Sequence, residues 1–146
     1  MKIPHNAWVL VGDGEKALFL RNEGDEIAAN LVVERMLEQE NPPTREQGAD
    51  RPGRFHDGAG PHRSAVQDAD WHRIEKDRFA RAMADRLYAM VHKGRFDKLV
   101  IVAPPHTLGE LRQHLHREVT DRVIAEVDKT LTQHPVYEME KILTAG

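Results

Sequence analysis

The stretch of sequence that decides the fold is Leu99-Val100-Ile101-Val102-Ala103, an unbroken run of apolar and mostly β-branched residues. A strand that is covered on one face alternates apolar and polar residues, whereas a strand that is covered on both faces does not. Pro104-Pro105 follow directly and end the strand, because proline cannot donate a hydrogen bond to a neighbouring strand. The run therefore predicts a central strand with a layer of structure on each face of its sheet.

The N-terminal part of the chain predicts three more strands. Residues 7–11 are apolar, and Gly12-Asp13-Gly14 separates them from a second short run at 16–21. Asp-Gly between two such runs is typical of a hairpin, because glycine readily adopts the positive φ of a tight turn. A third segment at 27–37 is centred on Leu31-Val32-Val33. Together these segments predict an antiparallel meander.

A long amphipathic helix is predicted between the meander and the central strand. Asp68 or Asp70 can cap its N-terminus, and apolar residues recur at helical spacing over 79–90. The pattern ends near His92, and Gly94 is the expected C-cap.

The C-terminal third predicts a second helix, a fifth strand and a terminal helix. Thr107-Leu108-Gly109-Glu110 has the capping-box pattern, and an apolar stripe continues from it to Val119. Residues 123–127 predict a strand, and Pro135 opens a helix that runs through Leu143. The order β-β-β-α-β-α-β-α predicts a single α/β domain over residues 1–146, with a mixed five-stranded sheet and two parallel crossovers.

A polar segment at about 38–68 interrupts this pattern with four of the eight prolines and four of the ten glycines. Long loops without their own secondary structure are usually functional or disordered. Arginine suits phosphate groups because its planar guanidinium donates two hydrogen bonds at once and stays charged. We therefore predict an RNA-contacting site in this segment and at the start of the long helix, formed by Arg45, Arg51, Arg54, His56, His62, Arg63 and Arg73.

Composition limits the function classes. The net charge is −3, from 21 basic and 24 acidic residues, which argues against binding to nucleic acid or membrane through bulk charge alone. The absence of cysteine excludes a disulfide framework, a thiolate nucleophile and a cysteine zinc site. The N-terminus lacks a signal-peptide pattern, and no stretch approaches the ~20 apolar residues of a membrane span. We expect a cytoplasmic protein without a cofactor and without membrane contact.

Short motifs over nearly the whole chain resemble the bacterial host attachment protein family. They are Trp8-Val9, Asp13-Gly14, residues 50–54 (Asp-Arg-Pro-Gly-Arg), Asp57-Gly58, His62-Arg63, residues 94–105 (from Gly94 to Pro105), Leu108-Gly109, Leu111-Arg112, residues 126–129 (Glu-Val-Asp-Lys) and Leu131-Thr132. That family is in turn similar to the bacterial and archaeal relatives of the central domain of class I peptide-chain release factors. The resemblance implies a ribonuclease-H-like sheet with the same element order, and it suggests association with RNA or the ribosome.

One motif departs from the release factors. Their mobile loop carries Gly-Gly-Gln, whereas the corresponding place here reads Gly58-Ala59-Gly60-Pro61-His62. The departure argues against peptidyl-tRNA hydrolysis and favours a non-catalytic binding protein. Two alternatives stay open, a hydrolase acting on RNA or tRNA esters and a protein indirectly required for attachment to host cells. Strand edges and the leucine-rich second helix would also allow a homodimer.

Other groups of residues that could ligate a metal or act in catalysis have simpler structural explanations. His56, Asp57 and His62 could ligate a metal, but their spacing is generic, and we predict no metal site. Asp13 could serve a nuclease, but two-metal chemistry needs several converging carboxylates, so a turn residue is the better explanation. Glu126 and Asp128 read as charges that protect a strand edge. We predict no catalytic residue.

Overall fold

A computed structural model describes residues 1–39 and 61–145, and for residues 61–69 it describes the backbone alone. The described chain holds five strands and four helices: β1 (Trp8–Gly12), β2 (Lys16–Asn22), β3 (Leu31–Glu38), α1 (Pro61–His92), β4 (Leu99–Ala103), α2 (Pro105–His114), α3 (Arg117–Thr120), β5 (Val123–Asp128) and α4 (Val136–Thr144).

The strands form one mixed sheet in the order β3-β2-β1-β4-β5. The pairs β1–β2 and β2–β3 are antiparallel, and the pairs β1–β4 and β4–β5 are parallel, which confirms the predicted meander and mixed sheet. Trp8 is paired with Arg21 on one side and with Leu99 on the other. The starts of β1 and β4 and the end of β2 therefore meet at one end of the sheet.

Both central strands are buried along their whole length, as predicted for β4. Successive strand side chains point to opposite faces, so alternate residues enter different layers. Leu10 and Ile101 pack in a core with residues of α1 and α2. Val9 and Val100 pack in a second core with residues of α4. The sheet thus lies between two layers, and neither central strand contributes a residue to solvent.

The long helix starts earlier than predicted. It runs from Pro61 to His92, so the predicted start at Asp68 or Asp70 was wrong. Pro61 occupies the first helical position, where proline is favoured because that amide has no helical partner. The last eight residues of the polar segment predicted at 38–68 are therefore helical.

The C-terminus of α1 ends as predicted, at a glycine with left-handed backbone. Gly94 has φ 66°. The Arg95 amide donates to the Met90 carbonyl at 3.0 Å, and the Gly94 amide donates to the Val91 carbonyl at 2.9 Å. These two hydrogen bonds make a Schellman motif, which fixes the direction of the chain as it leaves the helix.

The second predicted helix is divided in two, and its predicted capping box was wrong. The helix α2 begins at Pro105, and no side chain caps it. Thr107 lies inside the first turn and is buried, since proline at the first helical position sets the start two residues earlier. The chain turns at Leu115, and His116 caps the short helix α3 through the Glu118 amide. None of the helices in the described ranges is both long and apolar enough to cross a membrane.

Candidate functional site

The structure describes only part of the predicted RNA-contacting site. Arg45, Arg51, Arg54 and His56 lie outside the described residues, as does Asp57 of the metal alternative. His62 and Arg63 lie in the first turn of α1, where only the backbone is described. That turn contains no acidic residue. The assignment of these residues to RNA contact stays a prediction.

Arg73, the last member of that set, lies on the exposed side of α1. Its Nη2 atom is 3.3 Å from the Asp70 carboxylate one turn earlier, and both side chains are exposed. Arg78 makes a similar pair with Glu75 at 3.2 Å. A pair that is exposed on both sides is weak, so the Arg73 guanidinium stays available to an outside anion. Arg81 is exposed, and no carboxylate among the described side chains lies within ion-pair distance of it.

Asp13 is a turn residue in the structure, as predicted. Its Oδ1 atom accepts hydrogen bonds from the Glu15 amide at 2.7 Å and the Lys16 amide at 2.8 Å. Its Oδ2 atom accepts from the hydroxyl of buried Thr132 at 2.5 Å. Within 1–39 and 70–145 no three acidic or histidine side chains come together as a metal site would require.

The two acidic residues of β5 also match their structural interpretation. The strand is at the edge of the sheet, and Glu126 accepts two hydrogen bonds from Arg112, from Nε at 3.1 Å and from Nη2 at 2.5 Å. Asp128 is exposed at the end of the strand. A charged edge discourages pairing with another chain, which is the role expected of these two residues.

A basic cavity that the sequence did not predict lies at the opposite end of the sheet from Asp13. It has a volume of about 190 Å³, and we call it the Trp8 cavity. Four of its lining residues are cationic and one is acidic; the polar and aromatic part of the lining is Trp8, Glu34, Arg35, Arg86, Lys93 and Arg95. Basic side chains from a strand, a helix and the loop after that helix thus converge on one place.

A second cavity of about 450 Å³ lies next to the first, because Arg95 lines both. We call it the His5 cavity, and its polar lining includes His5, Arg21, Arg95, Asp97 and Lys98. The two cavities together form a basic strip along this end of the sheet.

Arg21 is the best-compensated cation of the strip. Its guanidinium lies 2.9 Å from Glu34 and 3.1 Å from Glu23. The hydrogen bond with Glu34 raises the pKa of Arg21 above its ordinary value. Glu34, the acidic residue of the Trp8 cavity, is therefore already neutralised by a partner outside that cavity.

The sequence carries only a partial signal for this strip. Lys93, Arg95 and Lys98 lie close together around the glycine that ends α1, a pattern that indicates a basic turn. Arg35 and Arg86 are far apart along the chain, and the packing of α1 against the sheet brings them to the same cavity.

Comparison with known proteins shows the family to which the chain belongs. Residues 6–143 match a family of release factor relatives, so the match covers nearly the entire chain. The chain belongs to bacterial archaeo-eukaryotic release factor family 12. No curated protein matches it.

Among solved structures, the chain is similar to the crystal structure of the archaeal translation termination factor aRF1. The TM-score is 0.49 and the sequence identity is 14%. The similarity covers 95% of this chain and 35% of the other, so this chain spans about a third of that factor's length.

Proposed function

We propose that this protein is a translation-related, ribosome-associated protein that binds RNA without breaking a bond in it. The family match over residues 6–143 is the observation that carries the proposal, because release factors act in translation. The sequence lacks Gly-Gly-Gln at the position where the release-factor loop would carry it. A protein of this class without that motif keeps the scaffold for ribosome association and lacks the catalytic tripeptide.

We propose that the RNA contacts come from Arg45, Arg51, Arg54, His56, His62, Arg63 and Arg73. The start of α1 supports this assignment. Backbone amides in the first turn of a helix have no helical acceptor, and the helix dipole favours negative charge there. His62 and Arg63 occupy that turn, and Arg73 is exposed three turns further along the same 32-residue helix.

The finer parts of the resemblance belong to the same proposal. A ribonuclease-H-like classification is compatible with a mixed sheet in the order β3-β2-β1-β4-β5. The resemblance to host attachment proteins suggests a role in attachment to host cells. We propose that any such role is indirect. Cytoplasmic localisation follows from the proposed ribosomal partner.

Sedimentation of the tagged protein from cell lysates tests the proposal. We expect the wild-type protein to travel with ribosomal particles at low salt and to leave them at high salt, because phosphate contacts are salt-dependent. A variant carrying Arg51→Gln, Arg54→Gln and Arg63→Gln should stay at the top of the gradient at both salt concentrations.

A charge-matched control variant carries Arg117→Gln, Lys129→Gln and Lys141→Gln. All three side chains are exposed, and none of them lines either cavity. The control should sediment like the wild type. The proposal is wrong if the variant of the polar segment also sediments like the wild type. Hydrolysis of a tRNA ester that is lost on changing His62 alone would replace it with the hydrolase alternative.

A further inference from the structure

The Trp8 cavity contains more positive charge than the protein itself neutralises. Among the described side chains, no carboxylate lies within ion-pair distance of Arg35, Arg86, Lys93 or Arg95. The cavity's acidic residue, Glu34, accepts a hydrogen bond from Arg21 Nε at 2.9 Å. Four cations in one concave site with a single engaged carboxylate attract an anion, because a cleft lined by one sign of charge focuses the field.

The backbone holds these cations in place. Arg86 is on α1, and Lys93 directly follows the last residue of that helix, seven residues and about two turns further along. The Schellman motif at Gly94 fixes Lys93 and Arg95 on either side of the glycine. Arg35 comes from β3, where it is paired with Phe19 of β2. All four cations are thus attached to regular structure or to a fixed helix end.

The α1 C-terminus would oppose an anion if its carbonyl groups were free, because that end of a helix carries partial negative charge. The Met90 and Val91 carbonyls instead accept hydrogen bonds from the amides of Arg95 and Gly94. These two carbonyl groups near the cavity are therefore already hydrogen-bonded within the protein.

Trp8 is a buried part of the cavity lining, and its side-chain donor is unpaired among the described residues. The residue is 6% exposed and lines the cavity. Its indole Nε1 is buried and has no hydrogen-bond acceptor in the part of the chain that the structure describes. An indole N–H can only donate, and buried donors are nearly always paired.

The size of the cavity restricts the ligand. Sites for drug-sized molecules have volumes of about 300–1,000 Å³, and the Trp8 cavity at about 190 Å³ is smaller. It fits a single charged group better than a whole cofactor. The His5 cavity continues the basic strip through Arg95 and adds Lys98, so a chain of linked anions could occupy both cavities.

We propose that the Trp8 cavity binds a backbone phosphate of single-stranded RNA, with the His5 cavity receiving the adjacent phosphate. The described start of the other proposed surface, His62 and Arg63, lies at the N-terminal end of α1, whereas Lys93 and Arg95 of the Trp8 cavity lie at its C-terminal end. The choice of RNA as the ligand rests on the proposed function, and the anion site itself rests on the geometry of the cavity.

Binding of a fluorescently labelled single-stranded oligouridylate, measured by anisotropy over a range of salt concentrations, tests this proposal. Each phosphate contact contributes about −0.7 to the log-log salt slope for a single strand. A variant carrying Arg86→Gln, Lys93→Gln and Arg95→Gln should bind more weakly, with a slope less steep by about 1.4, because the contacts to two phosphates are weakened. The control variant of Arg117, Lys129 and Lys141 should keep the wild-type slope. A wild-type slope in the cavity variant overturns the proposal.

Trp8 fluorescence locates the ligand independently of affinity. In a Trp71→Phe background, Trp8 is the single tryptophan of the chain. The oligouridylate should change the emission of Trp8, and inorganic phosphate should do so only at much higher concentration. Inorganic phosphate acting as strongly as the oligouridylate would overturn RNA as the ligand and leave a site for a free anion. No change with either probe would overturn the site.

The two RNA surfaces can fail separately. The Arg51, Arg54 and Arg63 variant should lose ribosome sedimentation while its Trp8 emission still responds to the oligouridylate. A response of Trp8 together with unchanged sedimentation in that variant would contradict the proposed function and support the cavity.

Discussion

Replacing Asn22 with alanine should remove the polar centre that holds the N-terminal segment to the sheet. Asn22 is fully buried, and its side chain spans three parts of the chain. Its Nδ2 atom donates to the Ile3 carbonyl at 2.8 Å, and its Oδ1 atom accepts from the amides of Gly24 and Asn30, each at 2.9 Å. Alanine leaves all three backbone groups without these partners.

The expected loss can be estimated from the burial of those groups. A buried group left without a partner costs about 1–3 kcal/mol, and a group that water can reach costs less. The bond to Ile3 is buried, whereas the bonds to Gly24 and Asn30 are partly buried. We expect Asn22→Ala to lower the free energy of unfolding by about 3 kcal/mol, a large part of the roughly 5–15 kcal/mol typical of a domain.

Urea denaturation followed by far-ultraviolet circular dichroism measures this effect. Asn30→Ala is the matched control, because the Asn30 side chain is exposed and makes no hydrogen bond among those described. The control should change the free energy of unfolding by no more than about 0.5 kcal/mol. A loss below about 1 kcal/mol for Asn22→Ala would refute the reasoning, since it would mean that the three backbone groups find other partners.

Four further predictions concern two helix glycines and two turn aspartates. Gly94→Ala should lower the free energy of unfolding by about 1 kcal/mol, because alanine is strained at φ 66°. Gly109→Ala should raise it by about 0.5–1 kcal/mol, because that glycine is inside α2 with open space around it. In chemical denaturation, a loss for Gly109→Ala would contradict this prediction, and a gain for Gly94→Ala would contradict the first. The backbone amide of Ala28 donates to the Asp25 carboxylate and lowers its pKa, so this stabilisation is present above the unfolded-state pKa and is lost as the pH falls through the folded-state pKa. Nuclear magnetic resonance can follow the titration of the Asp25 carboxyl, and an ordinary pKa there would contradict this prediction. Asp13→Ala should lower the free energy of unfolding by about 1–2 kcal/mol and leave the affinity for single-stranded RNA unchanged, and a lost affinity in the anisotropy assay would give Asp13 a role beyond the turn.

Features that depend on nearby residues could be predicted well. Gly94 takes the left-handed conformation because a helix must end where its backbone can turn, and glycine does so without a Cβ clash. The Asp13 turn is local for the same reason, since two of its hydrogen bonds are to amides two and three residues away. The apolar run of β4 predicted a strand covered on both faces, and the structure confirms it.

The start of α1 could not be predicted from nearby residues. Residues 61–68 are polar and lack an apolar stripe, so they resemble a loop in sequence. Once a helix has formed, each added residue contributes a hydrogen bond without a new nucleation cost, and polar residues can extend it. The start of α2 also differs from the prediction. The helix begins at Pro105, so the expected cap by Thr107 does not form.

The amino-acid order alone determined the types of the strands, the turns between them and the segment rich in arginine, because these depend on side-chain patterning and on backbone freedom within a few residues. Only the tertiary structure decided that Trp8, Arg35, Arg86 and Arg95 share one cavity. Those residues belong to β1, β3, α1 and the loop beyond it, and they meet because α1 packs over a sheet whose pairing places the starts of β1 and β4 side by side. No pattern of short period along the chain encodes such a meeting, since it depends on where whole elements pack against one another.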